Sequence, residues 1–295
     1  MLRHDPRRGA LCMLASYALF TVMSAMVKHM AESIPVFEMM FFRSAFALPV
    51  VLLIARRAGG ATLRTRRLGG HALRACTGIT AQSLGFYALG LLPLAEQSAL
   101  GYTQPLFVTL LAIPFLGEKV GSARWAAVLV GFIGVLIIAG GTGAGLGAGA
   151  PVLGLIAGTA QGMFSALTTM LVRQLSSTES STTITLWQSV LMAGFAALTL
   201  PFVWVTPSWG TLGLLILMGL IGGGAQWLLT EAWASAQVSA IAPYSYAGLL
   251  WAALLGWLVW GDLPGPAMGL GALLIVGAGL AILRAERPGR QKDKQ

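Results

Sequence analysis

Arg43 is the residue with the most evident chemical role in this sequence, because it stands near the middle of an otherwise apolar stretch, PVFEMMFFRSAFALPVVLLIA, from Pro35 to Ala55. As an α-helix the stretch would be about 31 Å long, close to the thickness of a bilayer's hydrocarbon core. A guanidinium at the bilayer centre costs about 2.5–3.5 kcal/mol on insertion scales, so it needs a function or a partner. Arg43 either binds a carboxylate or phosphate of a solute, or pairs with Glu38, with helix carbonyls or with a neighbouring helix. Glu38 lies five residues earlier, about 140° around the helix, and is therefore a poor same-face partner.

Uncharged polar side chains in the middle of apolar stretches form a second candidate set. Polar groups are costly in lipid unless they face protein or water, so we expect them to line a cavity between helices. They are Gln82, Tyr102, Gln104, Gln161, Ser165, Gln188, Gln226 and Tyr244. Aromatic neighbours can add stacking walls for a planar or amphipathic solute, although lipid-facing or interfacial packing explains them equally. The aromatic residues added to the predicted cavity are Trp187, Trp227 and Tyr246.

Three carboxylates are candidates for gating or proton coupling, namely Glu38, Glu96 and Glu231. Glu231 lies near the end of an apolar stretch, where a partly desolvated carboxyl can take up and release a proton, or where it is simply a solvated helix-end residue. Glu96 is either a charge that complements a helix N-terminus or part of an outer gate. No cysteine or histidine spacing indicates a metal site or a disulfide framework, and no cofactor is predicted.

The composition requires lipid as the solvent for most of the chain. Of its 295 residues, 56% are hydrophobic and only 10% are charged, with a mean hydropathy of +0.78; a soluble domain carries about 25% charged residues. The net charge of +9 does not indicate a nucleic-acid partner, because most cations lie in the two tails and in one loop, ARRAGGATLRTRRLGGHALR, without interleaved aromatic residues. Basic loops of this kind orient helices and contact anionic lipid headgroups. The sequence therefore predicts an integral membrane protein whose surroundings are the lipid bilayer.

Apolar windows of about 19–20 residues, separated by charges, proline and glycine, predict ten transmembrane helices. Their approximate ranges are 9–28, 34–55, 71–91, 95–116, 123–140, 151–172, 182–204, 210–232, 238–260 and 265–283. With ten spans, the 19 Lys and Arg residues fall on the side of the two termini or just inside the helix ends there, except for Lys28 and Arg43. The positive-inside rule then places both termini in the cytoplasm. Gly154, Gly158 and Gly162 form a line in the sixth span that permits close helix contact.

The chain also contains an internal repeat. The stretch 94–121 resembles 238–265 at an offset of 144 residues, which places Tyr102 on Tyr246. Further matches occur in the same order along both halves, and an offset of 145 places Arg43 on Gln188 by position. Matches that keep their order indicate a duplication rather than chance similarity.

The duplication predicts the architecture. Each half holds five spans, and because five is odd the second half enters the membrane from the opposite side. We therefore expect an all-α integral membrane protein with ten transmembrane helices in two inverted five-helix repeats, residues 1–147 and 148–295, and with both termini cytoplasmic. The substrate site of such proteins lies between the repeats near the membrane midplane.

Several motifs resemble the EamA family of the drug/metabolite transporter superfamily. They are FFR in the second span, LPLAEQSAL followed by LLAIPFLGEKVGSARWAAVLVGFIGVLII, and the corresponding stretch of the second half, APYSYAGLLWAALLGWLVWGDLPGPAMGLGALLIVGAGL. The resemblance implies two inverted five-helix repeats around a central cavity, and transport of a small metabolite without ATP hydrolysis across a bacterial inner membrane. Members commonly carry arginine at the position of Arg43 whatever the substrate, which favours its structural or gating role.

The first functional hypothesis is a secondary exporter of an amino-acid-like or amphipathic metabolite, because the predicted cavity is polar and aromatic with few fixed acids. The alternative is an importer of a vitamin or nucleotide-like cofactor such as riboflavin or S-adenosylmethionine, with Trp187 or Trp227 stacking on a flat flavin ring. An enzyme is not expected, because no HExxH or GxSxG arrangement is present. A coupled proton or other ion and a homodimer are further partners that either hypothesis allows.

Overall fold

The computed structural model describes residues 6–57, 65, 67–116, 121–141, 150–175, 178–179, 181–235 and 242–285. Within these ranges the chain consists of helices and short connections, and it contains no strand. The helices are α1 (Pro6–Met30), α2 (Val36–Arg57), α3 (Leu68–Leu91), α4 (Leu94–Gly101), α5 (Gln104–Leu116), α6 (Ser122–Gly141), α7 (Ala150–Leu175), α8 (Ser181–Val203), α9 (Trp209–Ser235), a 3₁₀ helix (Ala242–Tyr246), α10 (Ala247–Trp260) and α11 (Pro266–Ala285).

Over the described residues, helices occupy all ten predicted spans, which confirms the prediction of an all-helical, multi-pass membrane protein; the start of the ninth span, residues 238–241, lies outside the described residues. In the described part of the chain, six helices are long and apolar enough to cross a membrane, and two shorter apolar helices cover Tyr244–Trp260 and Pro266–Ile282. The fourth span differs from the prediction of a single helix. It consists of α4 and α5, separated by Tyr102 and Thr103.

The fourth and ninth spans depart from regular α-helix at matching points of the predicted repeat. Tyr102 follows the end of α4, and Tyr246 ends the 3₁₀ helix that precedes α10. These two tyrosines are separated by the repeat offset of 144 residues. A break inside a span leaves backbone groups without helical partners, and in a membrane this is tolerated where the backbone lies within protein or lines a cavity.

The main packing contacts join helices of the first half to helices of the second half. The most extensive pairs are α6 with α11, α3 with α7, α1 with α9, and α2 with both α8 and α9. Glycine allows the closest of these approaches. A Cβ atom at Gly134 of α6 would lie 2.6 Å from the carbonyl oxygen of Gly271 in α11, and a Cβ at Gly271 would lie 2.5 Å from that of Gly134. Without side chains at these points the two backbones pack directly against each other.

Polar contacts mark the two ends of the bundle. At the N-terminal end of α1, Arg8 pairs with Glu231 near the end of α9 at 2.5 Å. At the C-terminal end of α1, Lys28 Nζ lies 3.1 Å from Asp262 Oδ2 in the connection between α10 and α11. Lys28 also donates a hydrogen bond to the carbonyl of Leu92 at 3.2 Å. The first half and the second half are thus joined by an ion pair at each end.

Candidate functional site

Two adjoining cavities lie between the halves of the bundle. The first, here the polar chamber, has a volume of about 370 Å³ and is lined by residues that include Arg43 and five glutamines: Gln82, Gln97, Gln104, Gln161 and Gln188. The second, here the tyrosine chamber, has a volume of about 490 Å³ and is lined by residues that include Tyr17, Tyr102 and Tyr246. Their linings share Phe20, Ser24, Gln97, Gln104, Gln161 and Thr169. Cavities of this size accommodate a small organic molecule.

Arg43 of α2 reaches a partner on α3. Its Nη1 donates a hydrogen bond to Gln82 Oε1 at 2.6 Å, and its Nε approaches Met23 Sδ at 3.4 Å. In the described residues no carboxylate oxygen lies within 4.0 Å of its guanidinium nitrogens. The predicted pairing with a neighbouring helix is therefore present, and the same guanidinium also lines the polar chamber.

Glu38 is not the partner of Arg43. The side chain of Glu38 is fully buried, and its Oε2 accepts a hydrogen bond from the backbone N–H of Val205 at 3.0 Å. Its Oε1 has no hydrogen-bond partner in the described part of the chain. Glu38 thus joins the start of α2 to the segment that follows α8, outside both chambers.

Hydrogen bonds between helices hold the glutamine amides in place. Gln97 Nε2 donates to Gln161 Oε1 at 2.7 Å, and Gln104 Nε2 donates to Thr169 Oγ1 at 2.8 Å. A Cβ atom at Gly85 of α3 would lie 2.8 Å from the Gln161 amide, so the glycine leaves room for that side chain. The polar chamber is therefore lined by amides that α4, α5 and α7 position jointly.

Three tyrosines pack together where the irregular parts of the fourth and ninth spans meet. The Tyr17 and Tyr102 rings are stacked with centroids 6.5 Å apart, and the Tyr102 and Tyr246 centroids are 5.0 Å apart. The Tyr102 hydroxyl donates a hydrogen bond to the carbonyl of Ser245 in the 3₁₀ helix at 2.7 Å. The break between α4 and α5 thus faces the 3₁₀ helix, and both bring aromatic rings to the second chamber.

Eight of the twelve residues predicted to line a cavity belong to the linings of the two chambers. Six line the polar chamber: Arg43, Gln82, Gln104, Gln161, Ser165 and Gln188. Tyr102 and Tyr246 line the tyrosine chamber, and Gln226 lines a separate cavity of about 30 Å³ together with Arg43 and Gln188. Trp187, Trp227 and Tyr244 line neither chamber. Trp187 stacks on His71 with ring centroids 5.8 Å apart, whereas Trp227 and Tyr244 are exposed on the surface of the bundle.

Several residues that line the chambers were not predicted from the sequence. Tyr17, Thr21 and Ser24 of α1 all line the tyrosine chamber. Their spacing of four and three residues places them on one face of a helix, which is a signal that a search for polar stripes would have found. Gln97 lies next to Glu96 near the start of α4, and its role depends on contact with α7, for which the sequence carries no separate signal.

The candidate acidic residues lie at the ends of the bundle rather than in the chambers. Glu231 pairs with Arg8. Glu96 lines a cavity of about 280 Å³ together with Asp262, and its buried Oε2 has no hydrogen-bond partner among the described residues. Lys28, which pairs with Asp262, also lies 5.0 Å from the centre of the Trp260 ring.

In the described lining of both chambers there is one cationic side chain, Arg43, and no carboxylate.

Comparisons with known proteins agree with this architecture. The sequence model of the EamA-like transporter family matches residues 7–140 and 152–284. A riboflavin transporter of Rhizobium johnstonii is 34% identical over 284 residues, which cover 94% of this chain and 91% of that protein. The pseudopaline exporter CntI of Pseudomonas aeruginosa is 31% identical over 284 residues, 94% of this chain and 96% of that one. A solved crystal structure, 21% identical, shares the fold with a TM-score of 0.66 over 96% of this chain and 100% of its own.

Proposed function

The chain belongs to the EamA-like transporter family, and from that premise we propose that it carries a planar, polar solute of the flavin type through the two chambers by alternating access. Relatives of this chain are named transporters, so the protein is a multi-pass membrane transporter of small molecules and not an enzyme. The direction, the solute and the mechanism of exchange are the subject of the proposal.

The observation that carries the proposal is the pairing of a hydrogen-bonding chamber with an aromatic one. Glutamine amides and the Arg43 guanidinium can bind the carbonyl and hydroxyl groups of a polyol-bearing heterocycle. The rings of Tyr17, Tyr102 and Tyr246 can pack against its flat face. In this version of the importer hypothesis, tyrosines take the stacking role that the sequence assigned to Trp187 or Trp227.

The charge of the lining distinguishes between the cofactor-like solutes. S-adenosylmethionine carries a sulfonium cation, and a desolvated cation requires a carboxylate or an aromatic face as its counter-charge. Arg43 would repel it, and the described lining of the two chambers offers tyrosine faces but no carboxylate to offset that repulsion. A neutral or acidic solute is therefore favoured over a cationic one.

A second candidate function is the export of an amphipathic amino-acid-like solute. It is favoured by Arg43, whose guanidinium has no carboxylate within 4.0 Å in the described residues and is therefore suited to a solute carboxylate. The relative named as the pseudopaline exporter supports this direction in the same measure as the riboflavin transporter supports the first candidate.

The proposal includes two inverted repeats that exchange conformations. The packing of α3 on α7 and of α1 on α9 supports it, because these are equivalent pairs when the first and second five spans are exchanged. The departures from regular α-helix at the matched positions Tyr102 and Tyr246 support it as well. The distribution of basic residues supports cytoplasmic termini, and the bacterial transporters among the relatives support location in the bacterial inner membrane.

Expression in a riboflavin-requiring bacterium that lacks flavin uptake tests the proposed solute and its direction. Growth at low external riboflavin, with flavin accumulating inside the cells, would establish import; loss of internal flavin to the medium would establish export. The comparison uses cells with an empty vector and cells with Arg43→Gln. If a well-expressed protein moves amphipathic amino acids and no flavin, the second candidate replaces the first.

The ion pair between Lys28 and Asp262 is expected to hold one end of the carrier closed. The Lys28 side chain is 16% exposed and that of Asp262 is 36% exposed, so the pair is only partly screened by solvent. Asp262→Asn should therefore change the rate of solute exchange about three- to tenfold by shifting the balance between the two access states. Stopped-flow uptake into proteoliposomes measures this rate.

The charge-reversed pair is the control for that experiment. Lys28→Asp combined with Asp262→Lys should restore part of the native rate, because the attraction is regained with opposite polarity while the contacts of Lys28 with the Leu92 carbonyl and the Trp260 ring are lost. An Asp262→Asn rate equal to the native one, with no difference in the reversed pair, would show that the contact has no part in gating.

A further inference from the structure

A second buried guanidinium lies on the same helix as the glutamine that binds Arg43. Arg74 of α3 is 8% exposed. Its Nη2 donates to Gln188 Oε1 at 2.7 Å and its Nη1 to the carbonyl of Ile184 at 3.3 Å, while Nε has no hydrogen-bond partner among the described residues. Over the same part of the chain, no carboxylate oxygen lies within 4.0 Å of Arg74. Among the described residues, the two guanidinium groups of Arg43 and Arg74 thus have no paired anion.

An uncompensated cation inside a membrane protein is energetically costly, so a residue of this kind is usually kept because it has a function. Neutral acceptors stabilise a guanidinium less than a carboxylate or phosphate does, because charge-assisted hydrogen bonds are about twice as strong as neutral ones. Arg43 and Arg74 each use a glutamine oxygen as a neutral acceptor. Both are therefore ready to exchange that acceptor for an anion.

Arg74 and Gln82, the glutamine that binds Arg43, lie on one face of α3. Arg74, Gly78 and Gln82 follow at intervals of four residues and so lie on the same side of the helix. A Cβ atom at Gly78 would be 4.0 Å from Gln188 Nε2, so the Gln188 side chain passes over the glycine. Gln188 binds Arg74, lines the polar chamber, and shares a cavity of about 30 Å³ with Arg43. Gln188 therefore binds one of the two cations and lines two cavities that the other cation also lines.

A stacked pair of rings, His71 and Trp187, lies beyond Arg74 toward the start of α3. His71 is 1% exposed, and its ring stacks on Trp187 with centroids 5.8 Å apart. His71 Nε2 is 4.0 Å from Glu179 Oε1, whose carboxylate accepts a hydrogen bond from Thr65. A solute leaving the polar chamber along α3 would pass Arg43 first, Arg74 second and this His71–Trp187 pair last.

We propose that Arg43 and Arg74 are successive sites for one acidic group of the solute, a carboxylate or a phosphate monoester, and that Gln188 mediates the transfer between them. This inference rests on the proposed transport through the chambers and adds to it a preference for solutes that carry an acidic group. In the present structure Gln188 and Ile184 occupy the donors of Arg74 that the anion would take in the next state of the cycle.

Matched pairs of probes with and without the acid test the inference. In purified native protein, flavin mononucleotide is compared with riboflavin for the phosphate, and N-acetyltyrosine with N-acetyltyrosinamide for the carboxylate. We expect the acidic member of at least one pair to bind about tenfold or more tightly, as expected for one charge-assisted hydrogen-bond site. Arg74→Gln should remove about tenfold of that preference and leave the affinity for the uncharged member unchanged.

Two variants separate recognition from folding. Arg74→Lys keeps the charge and should keep part of the acid preference, whereas Arg67→Gln, at an exposed position just before α3, should keep all of it. The inference is overturned if the native protein shows no acid preference in any pair, or if Arg74→Gln retains it. If both flavins bind without preference, the inference fails but the proposed function stands. If N-acetyltyrosine alone binds, and Arg74→Gln no longer binds it, the flavin is rejected and the two-arginine site is retained.

Discussion

Replacement of Arg43 by glutamine is expected to lower solute transport about 10- to 100-fold while folded protein still accumulates in the membrane. The guanidinium is the one charged group in the described lining of the two chambers. A hydrogen bond from a charged donor contributes about 1.5–3 kcal/mol, and 1.4 kcal/mol corresponds to a tenfold change in binding. Initial rates of uptake into proteoliposomes, normalised to the amount of monodisperse protein, measure the effect.

Neighbouring substitutions distinguish solute binding from helix pairing at Arg43. Gln82→Leu removes the acceptor that Arg43 uses at 2.6 Å but keeps the guanidinium in the chamber. If Arg43 binds the solute, this variant should lose less activity than Arg43→Gln. If the two variants instead lose the same activity and the same thermal stability, Arg43 serves mainly to join α2 to α3, and the binding role is rejected.

Substitution of Gly162 by alanine is expected to be the most destabilising single methyl addition in α7. A Cβ atom at this position would overlap Thr103 Oγ1 and lie 3.3 Å from the backbone nitrogen of Gln104. Thr103 is fully buried, and its hydroxyl bonds the carbonyl of Leu100 at 2.7 Å in the break between α4 and α5. Overpacking of this kind costs about 1–3 kcal/mol, which should lower the melting temperature in detergent by roughly 5 °C.

Gly194→Ala in α8 is the matched control for that substitution. Nothing lies within 4 Å of a Cβ atom at Gly194. Alanine is favoured over glycine inside a helix by about 0.5–1 kcal/mol, so the control should have an unchanged or slightly raised melting temperature. Equal melting temperatures for the two variants would contradict the close contact between α7 and the α4–α5 break.

The membrane architecture was predictable from sequence because hydropathy and charge are local properties. Each apolar window had to become a helix to satisfy its own backbone, and each polar residue inside a window had to face protein or water. This reasoning placed residues such as Arg43, Gln82 and Gln161 in the polar chamber. It failed to assign faces to Trp187 and Trp227, because an aromatic ring is stable against lipid, protein or cavity alike.

Features that depend on tertiary packing carried no comparable signal. Arg74 reads in the sequence as one more cation near a helix end, yet in the structure it is buried against α8 and bound to Gln188. The acceptor for Arg43 was also unpredicted, since it comes from α3, 39 residues later. The irregular backbone near Tyr102 and Tyr246 did have a local signal, because Pro105 and Pro243 lack a backbone N–H and disfavour a continuous helix. The contact between these two regions had none.

The most direct test of the central claim is a counterflow measurement with purified protein in liposomes. Vesicles loaded with unlabelled riboflavin are diluted into a trace of labelled riboflavin, without ATP or an ion gradient, and internal label is followed over time. A carrier that works by alternating access should accumulate label transiently above its external concentration, and Arg43→Gln should abolish most of the rise. Label that never exceeds the level in empty liposomes, with folded protein present in the vesicles, would contradict flavin transport through this cavity.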